Sequence, residues 1–229
     1  MSFALRLTED RLGAGARVVL TEAPRVLYAR DGAGTIETSP PTTRTDLADP
    51  GTTNPAWHGT DAVSVSAEAP ATLLRFELLH GADASASASV KSSTGKLESR
   101  VLLEHAIDID PARQWLMRCD RVDFTPGGVA LPHGHRGGGI RCLLAGALEV
   151  TVGDRPPRLM RPGDAWFESG REPVLAKAAA DLPTAFVRVS ILPREIRGQS
   201  SIVYVDPADA ARGRPRQYTV FVDDPIALG

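Results

Sequence analysis

The sequence predicts an all-β protein of the sandwich or barrel type. The segments between turns are short, apolar and often alternating, which is typical of strands that turn one face toward a core. Glycine (21 residues) and proline (18 residues) are plentiful and supply turns between these segments. Helical periodicity of useful length is nearly absent. Many short strands separated by turns are the pattern of β-sandwiches and β-barrels.

Eight segments suit strands because they are rich in apolar and β-branched residues. In chain order they are 17–23, 25–30, 71–79, 140–146, 147–153, 185–192, 201–206 and 218–224. Segment 97–107 has some helical periodicity and fits a strand equally well. Turn sequences such as PGG (126–128) and RPGD (161–164) separate the strands of the second half.

Composition excludes several classes of protein. Lys and Arg number 26 against 28 Asp and Glu, and the charges are scattered, so we expect no nucleic-acid partner. The two cysteines, Cys119 and Cys142, lack the spacing of a zinc or redox motif and are interpreted as reduced packing residues. We find neither a signal-peptide pattern at the start nor an apolar run long enough for a membrane helix. The expectation is a cytoplasmic protein without a membrane partner.

A connector rich in alanine and serine divides the chain. Segment 81–96 (GADASASASVKSSTGK) contains almost no large apolar residue, which predicts a flexible connector or an exposed loop. The sequence therefore predicts an N-terminal domain at 1–96, including the connector, and a C-terminal domain at 97–229.

The two halves repeat a pattern. RVLY, PAWHGTDAV and TLLRFELL in the first half are followed, in the same order, by RCLL, DAWFESGREPV and AFVRVSIL in the second. Four ordered anchors agree: Arg25 with Arg141, Trp57 with Trp166, Val63 with Val174, and Arg75 with Arg188. This self-similarity favours duplication and predicts two similar β-barrels.

The second half contains a motif that resembles the first motif of the cupin superfamily. It runs from Gly127 through His133, His135 and Gly139 to Gly146, with glycine at 139 where the family has glutamate. Segment 163–174 (GDAWFESGREPV) is similar to the second cupin motif, with Val174 where the family has histidine. The chain thus resembles a two-cupin (bicupin) protein with a degenerate metal motif in its C-terminal half. The resemblance implies tandem jelly-roll-like β-barrels.

The resemblance also implies a metal site. Residues 133 and 135 lie on one face of a strand, where two imidazoles can converge on one ion. Two of the four family ligands are missing, so Glu168 is the predicted third ligand beside His133 and His135. The ion would be a divalent metal (iron, manganese, nickel or zinc), or the site would be vestigial.

Arg141 and Trp166 are the predicted substrate-binding residues. Arg141 shares the strand face of position 139, and Trp166 shares that of Glu168, so both are expected to face the barrel cavity. A guanidinium inside a barrel needs a carboxylate, which either Glu168 or a bound anionic ligand would supply. These roles compete, because a Glu168 committed to Arg141 is less available to a metal.

Two functions follow, and a third interpretation stays open. The first is a cupin-type enzyme, possibly metal-dependent, that acts on an anionic or carboxylate-bearing metabolite in the C-terminal barrel; the sequence does not settle that the protein is an enzyme. The second is a non-catalytic ligand-binding cupin with a vestigial metal site. The third is a structural protein with filled barrels.

The expected partners are a small molecule and a second copy in a homodimer, and the tail 200–229 is expected to cover a sheet edge or exchange with that copy. In the first half, the alignment on Arg25 puts Arg17 and Val19 at the histidine positions, so no metal is expected there.

Overall fold

The computed structural model describes residues 2–39, 42–48, 54–80, 89–212 and 215–228. Antiparallel β-strands dominate it, as the sequence predicts. The chain divides into two compact units, residues 1–111 with 226–229 (unit 1) and residues 112–225 (unit 2). None of the described helices is long and apolar enough to cross a membrane.

Unit 1 consists of two five-stranded sheets. One has the order β10-β1-β8-β3-β6 and the other the order β5-β4-β7-β2-β9. The strands are β1 Phe3–Leu12, β2 Ala16–Leu20, β3 Arg25–Asp31, β4 Gly34–Thr38, β5 Thr43–Leu47, β6 Ala56–Gly59, β7 Val63–Ala67, β8 Ala71–His80, β9 Val90–Thr94 and β10 Leu97–Ile107. Apolar side chains from both sheets form its core, including Leu27, Ile36, Val65 and Leu73.

Unit 2 repeats this architecture strand for strand. Its sheets have the orders β16-β13-β18-β11-β20 and β15-β14-β17-β12-β19. The strands are β11 Trp115–Phe124, β12 Val129–His135, β13 Gly139–Ala145, β14 Leu148–Val152, β15 Arg158–Met160, β16 Ala165–Glu168, β17 Val174–Ala178, β18 Thr184–Pro193, β19 Ile202–Tyr204 and β20 Arg216–Ile226. Short 3-10 helices occupy Arg194–Ile196 and Pro207–Ala211. Each strand of unit 2 takes the place of the strand ten earlier in unit 1, which supports the predicted duplication.

One predicted anchor of the repeat is out of register by two residues. Trp57 lies opposite Leu27, and Trp166 lies opposite Arg141, so Leu27 is the counterpart of Arg141. Arg25 therefore corresponds to Gly139. Two left-handed glycines agree with this register: Gly32 and Gly146, at φ +75° and +74°, approach the backbone at the start of β8 and of β18, respectively. Arginine is frequent in this chain, so a match between two arginines does not by itself fix the register of the repeat.

The boundary between the units lies further along the chain than residue 96. Strand β10 belongs to unit 1 because it pairs with β1 over its whole length, from Leu97 opposite Leu12 to Ile107 opposite Phe3. Segment 97–107 is thus a strand, one of its two predicted alternatives. Of the predicted connector, residues 81–88 lie outside the described part of the chain, and Val90–Thr94 forms β9.

The tail strands complete unit 2. Strand β19 pairs with β12, and β20 lies beside β11 at the edge of the other sheet. The tail therefore covers sheet edges of its own barrel, which is the first of its two predicted roles.

Candidate functional site in the C-terminal barrel

The cupin-like motif places five polar or aromatic side chains around the interior of unit 2. Register sets this arrangement: Gly139 lies opposite Glu168 and Arg141 opposite Trp166 on β13 and β16. In the facing sheet, β12 carries both histidines, with an irregularity between Ala130 and His133. All five predicted site residues line one small interior cavity: His133, His135, Arg141, Trp166 and Glu168.

Glu168 contacts three of the other four side chains in this cluster. Its Oε2 lies 2.7 Å from Nη2 of Arg141 and 3.2 Å from Nε2 of His135. Its Oε1 accepts a hydrogen bond of 2.8 Å from Nε1 of Trp166. Of the two roles predicted for Glu168, metal ligand or partner of Arg141, the geometry therefore favours the partner of Arg141.

The charges within the cluster follow from this ion pair. Burial alone would raise the pKa of Glu168, but the charge of Arg141 and the hydrogen bonds from His135 and Trp166 outweigh burial and hold the pKa well below its usual range. Burial also lowers the pKa of Arg141 to about 10, against the opposing attraction of Glu168. Glu168 is thus a carboxylate and Arg141 a guanidinium near neutral pH.

Both histidines are neutral under the same conditions. Burial, reinforced by the positive charges of Arg141 and Arg188, lowers the pKa of His135 to about 3. Burial likewise lowers the pKa of His133, whose Nδ1 lies 2.7 Å from the carbonyl oxygen of Leu131. The two rings meet edge to face, with 4.9 Å between centroids. Because Nε2 of His135 faces Glu168, its buried Nδ1 is the lone-pair nitrogen, and this atom has no hydrogen-bond partner in the described ranges.

A divalent metal does not fit the donors that these residues present. Two positions that the resemblance assigns to ligands are Gly139 and Val174, which offer no side-chain donor. The remaining carboxylate, Glu168, is neutralised by a guanidinium. Within the described residues, no group of three or more His, Cys, Asp or Glu side chains is arranged to hold a metal ion. Two neutral imidazoles alone bind a divalent ion weakly.

Close packing of β18 against Gly139 leaves no room for a side chain at the position where the family has glutamate. A Cβ atom built on Gly139 would meet the carbonyl oxygen of Val189 and would lie 2.6 Å from Oγ and 2.8 Å from Cα of Ser190. Strand β13 lies against β18 so closely at this point that no side chain fits without a shift of backbone. A glutamate cannot occupy this position in the present packing.

The interior cavity is too small for a metabolite. Its volume is about 20 Å³, which is close to the space that one water molecule needs. Side chains such as Phe186, Leu148 and Val150 pack into the same core. Arg141 and Trp166, although they line this cavity, are therefore not accessible to a substrate of even a few atoms.

A larger cavity opens in unit 2 beside the edge strand β20. We call it the β20 cavity; it is lined by Arg118 and Asp120 of β11, Arg188 of β18, Tyr218, Val220 and Asp223 of β20, and segment 198–202. Its volume is about 420 Å³, within the range of small-molecule sites. Arg188 and Tyr218 line both cavities and separate one from the other.

A buried ion pair and a partly buried one form the polar wall of the β20 cavity. Arg188 donates from Nε and Nη2 to the two carboxylate oxygens of Asp120, at 2.9 and 2.6 Å. Arg118 donates in the same bidentate way to Asp223, at 2.8 and 3.0 Å. Burial would lower the pKa of Arg188, but the charge and hydrogen bonds of Asp120 outweigh it and raise the pKa above its usual range. Arg188 is thus a permanent cation.

The sequence carries only a weak signal for this second site, and the predicted site residues do not include it. Arg118 and Asp120 alternate with Met117 and Cys119 in WLMRCDRVDF, a pattern that places the charged pair on one strand face. The partners Arg188 and Asp223 lie 68 and 105 residues away along the chain. The sequence singles out Arg188 only as an anchor of the repeat, and its counterpart Arg75 does pair with Asp10 of β1, at 2.7 Å.

Comparison with known proteins supports the fold and nothing finer. No family model matches the chain, and no curated protein sequence matches it. The chain does match solved structures in fold. An oxalate decarboxylase variant from Bacillus subtilis aligns with a TM-score of 0.63 and 13% identity, over 91% of this chain and 73% of that one.

Two further structures are similar over comparable lengths. The coconut allergen cocosin aligns with a TM-score of 0.60 and 10% identity, over 88% of this chain and 79% of that chain. AerE from Microcystis aeruginosa aligns with a TM-score of 0.56 and 9% identity, over 80% and 85% of the two chains. The fold of this chain is accordingly that of tandem cupin barrels, all-β, with two jelly-roll-like units in one chain.

Proposed function

We propose that this protein is a non-catalytic, metal-independent two-barrel cupin that binds a small molecule in the β20 cavity of its C-terminal unit. The observation that carries the proposal is the buried ion pair between Arg141 and Glu168, at 2.7 Å. The guanidinium of Arg141 supplies the cation that a metal ion would otherwise supply to this carboxylate. The cupin-like motif is then a structural centre, and ligand binding shifts to the larger β20 cavity of the same unit.

The chemistry of both cavities argues against catalysis. In the interior cavity, Glu168 carries no proton to donate, and the pKa of His135, at about 3, makes it a poor base near neutral pH. In the β20 cavity, Asp120 and Asp223 are each committed to an arginine by two hydrogen bonds. Neither wall, among the residues that the structure describes, presents an activated nucleophile beside a free general base, the arrangement that covalent and acid-base catalysis requires.

One observation favours the metal-dependent enzyme as the second candidate. The two imidazoles of His133 and His135 remain neutral and adjacent, as metal ligands must be, with 4.9 Å between ring centroids. For this candidate to hold, a divalent ion would have to displace Arg141 from Glu168. The names of the structural neighbours do not decide, since they include an oxalate decarboxylase and an allergen, and one fold hosts unrelated functions.

A homodimer and a cytoplasmic location stay predictions from the sequence. Light scattering after size-exclusion chromatography tests the dimer, with twice the chain mass of 24.4 kDa as the expected result. A monomer at micromolar concentration would contradict it.

The proposed function is tested by a ligand screen with a blocked variant. A library of small metabolites is screened by thermal shift in the presence of a chelator, against the wild-type protein and Val220→Trp. Val220 is about half exposed at the edge of the β20 cavity, so an indole there fills the cavity and leaves the core intact. The matched control is Val203→Trp, which is equally exposed on β19 and does not line the cavity.

The expected result is a ligand that stabilises the wild type and the Val203→Trp control but not Val220→Trp. Stabilisation that depends on added metal, or that survives Val220→Trp, would contradict the proposal.

A further inference from the structure

Two buried side chains on the wall of the β20 cavity carry hydrogen-bond donors that the protein does not use. Arg188 is 5% exposed and gives Nε and Nη2 to Asp120, while its Nη1 has no hydrogen-bond partner in the ranges that the structure describes. Ser201 is also 5% exposed, and its hydroxyl has no partner in the same ranges. Both residues line the cavity, so their free donors are available to a ligand there.

The carboxylate acceptors of the wall, in contrast, are engaged. Both oxygens of Asp120 accept from Arg188. Both oxygens of Asp223 accept from Arg118, and Oδ2 also accepts a hydrogen bond of 2.7 Å from the backbone N–H of Gly198. What this wall lacks is therefore an acceptor, and a guanidinium edge matches a carboxylate better than any neutral acceptor.

Part of the cavity lining is apolar. The ring of Tyr218 lies beside the guanidinium, with 5.9 Å from the ring centroid to Cζ of Arg188. Ile202 and Val220 contribute aliphatic surface to the lining. A volume of about 420 Å³ admits a molecule of modest size. The cavity thus offers both free hydrogen-bond donors and apolar surface to a ligand.

From this arrangement we infer that the β20 cavity binds a small monocarboxylate with an apolar body, whose carboxylate accepts from Nη1 of Arg188 and from the hydroxyl of Ser201. The inference rests on the proposed ligand-binding function and names its ligand class. It also moves the predicted anionic-ligand site from Arg141, which is committed to Glu168, to Arg188 on the adjacent strand.

The test compares head groups on a constant body. Isovalerate, benzoate and phenylacetate are each titrated beside the corresponding amide and alcohol, with binding followed by protein-detected NMR near neutral pH. The carboxylates are expected to bind about ten- to a hundredfold more tightly than their amides and alcohols, because a charge-assisted hydrogen bond is lost with each neutral head group.

Two variants assign the contact. Arg188→Lys keeps a cation for Asp120 but removes the planar guanidinium edge, and Ser201→Ala removes one hydroxyl. Each is expected to weaken carboxylate binding severalfold while it leaves the weak binding of the amides unchanged. If Arg188→Lys does not fold, as checked by circular dichroism, Ser201→Ala still tests the contact.

The outcomes separate the two proposals. If all three head groups bind equally and Val220→Trp abolishes binding, the cavity is a ligand site but the carboxylate inference is wrong. The carboxylate inference is also wrong, and the cavity is still a ligand site, if the metabolite screen yields a ligand whose binding Val220→Trp abolishes while the carboxylates do not bind at millimolar concentration. If no compound binds in a way that Val220→Trp abolishes, the proposed function itself fails.

Discussion

Replacing Arg141 with methionine removes the cation that neutralises Glu168 in the interior of the C-terminal barrel. The two side chains are buried, with side-chain exposures of 1% and 6%, and their charged atoms lie 2.7 Å apart. Methionine has a similar length and no charge, so the variant leaves a carboxylate in an apolar core with Trp166 and His135 as its donors among the described residues.

The expected loss of unfolding free energy is about 3–5 kcal/mol, because breaking a buried pair leaves the partner charge uncompensated. Adding Glu168→Gln to Arg141→Met removes that charge and should recover much of the loss. The coupling between the two substitutions is then expected to be about 2 kcal/mol.

Urea unfolding, followed by tryptophan fluorescence, measures the wild type, both single variants and the double variant. Arg155→Met is the matched control, since Arg155 forms an ion pair of 2.9 Å with Glu172 at the surface, with side-chain exposures of 67% and 40%. That control should lose less than about 1 kcal/mol. If Arg141→Met proves no more harmful than the control, or if the two substitutions are additive, the ion pair is not the structural centre of this barrel.

Three further changes probe the same cluster. The pKa of His135 is lowered from 6.5 to about 3, so the unfolded state binds a proton that the folded state excludes. Through His135 alone, the folding equilibrium constant should therefore fall about tenfold per pH unit between about pH 6 and about pH 3, and His135→Gln should reduce this slope; an unchanged slope would contradict the assignment. Gly139→Ala should destabilise by about 1–3 kcal/mol in urea unfolding, because its Cβ meets Ser190 at 2.6 Å; a neutral effect would show that the strands can separate. Trp166→Phe should cost about 1–3 kcal/mol by removing the hydrogen bond to Glu168, and a smaller loss on the Glu168→Gln background would confirm the partner.

The composition of the interior cluster is predictable from the sequence because strand geometry is strictly periodic. Residues two apart on a strand share a face, so the amino-acid pattern alone places His133 with His135, and Trp166 with Glu168. The pattern cannot fix which strands are neighbours. Only the register of β13 against β16, with Arg141 opposite Trp166, brings the guanidinium within reach of Glu168 and decides between its two predicted roles.

Two of the long strands, β1 and β11, are absent from the predicted segments, although β8 and β18 are present. β1 and β11 are almost entirely buried, yet their sequences, FALRLTEDRL and WLMRCDRVDF, are interrupted by charged residues. Two of those charges, Asp10 and Asp120, are tolerated because arginines on β8 and β18 neutralise them, at 2.7 and 2.6 Å. Such pairs join residues 65 and 68 positions apart, which a local hydrophobic pattern cannot reveal. The β20 cavity depends on pairs of the same kind and escapes prediction for the same reason.

The volume of the barrel interior also cannot be predicted from the sequence. A resemblance to cupins implies a barrel with an open interior cavity. In this chain, Phe186, Leu148 and neighbouring side chains leave a cavity of only about 20 Å³ around the histidines. Packing density depends on the fit of side chains from both sheets, and residue identities alone do not determine that fit. The predicted anionic ligand therefore has to be sought in the neighbouring cavity.

A guanidinium, and not a metal ion, is the proposed cation at the cupin-like motif, and the proposed metal independence of the C-terminal barrel depends on this assignment. Its most direct test is the metal content of protein purified without a histidine tag and incubated with manganese, iron(II), nickel or zinc before desalting. Elemental analysis of the wild type and of a His133→Ala, His135→Ala double variant should show far less than one ion per chain in both. About one ion per wild-type chain, lost in the double variant, would contradict the account.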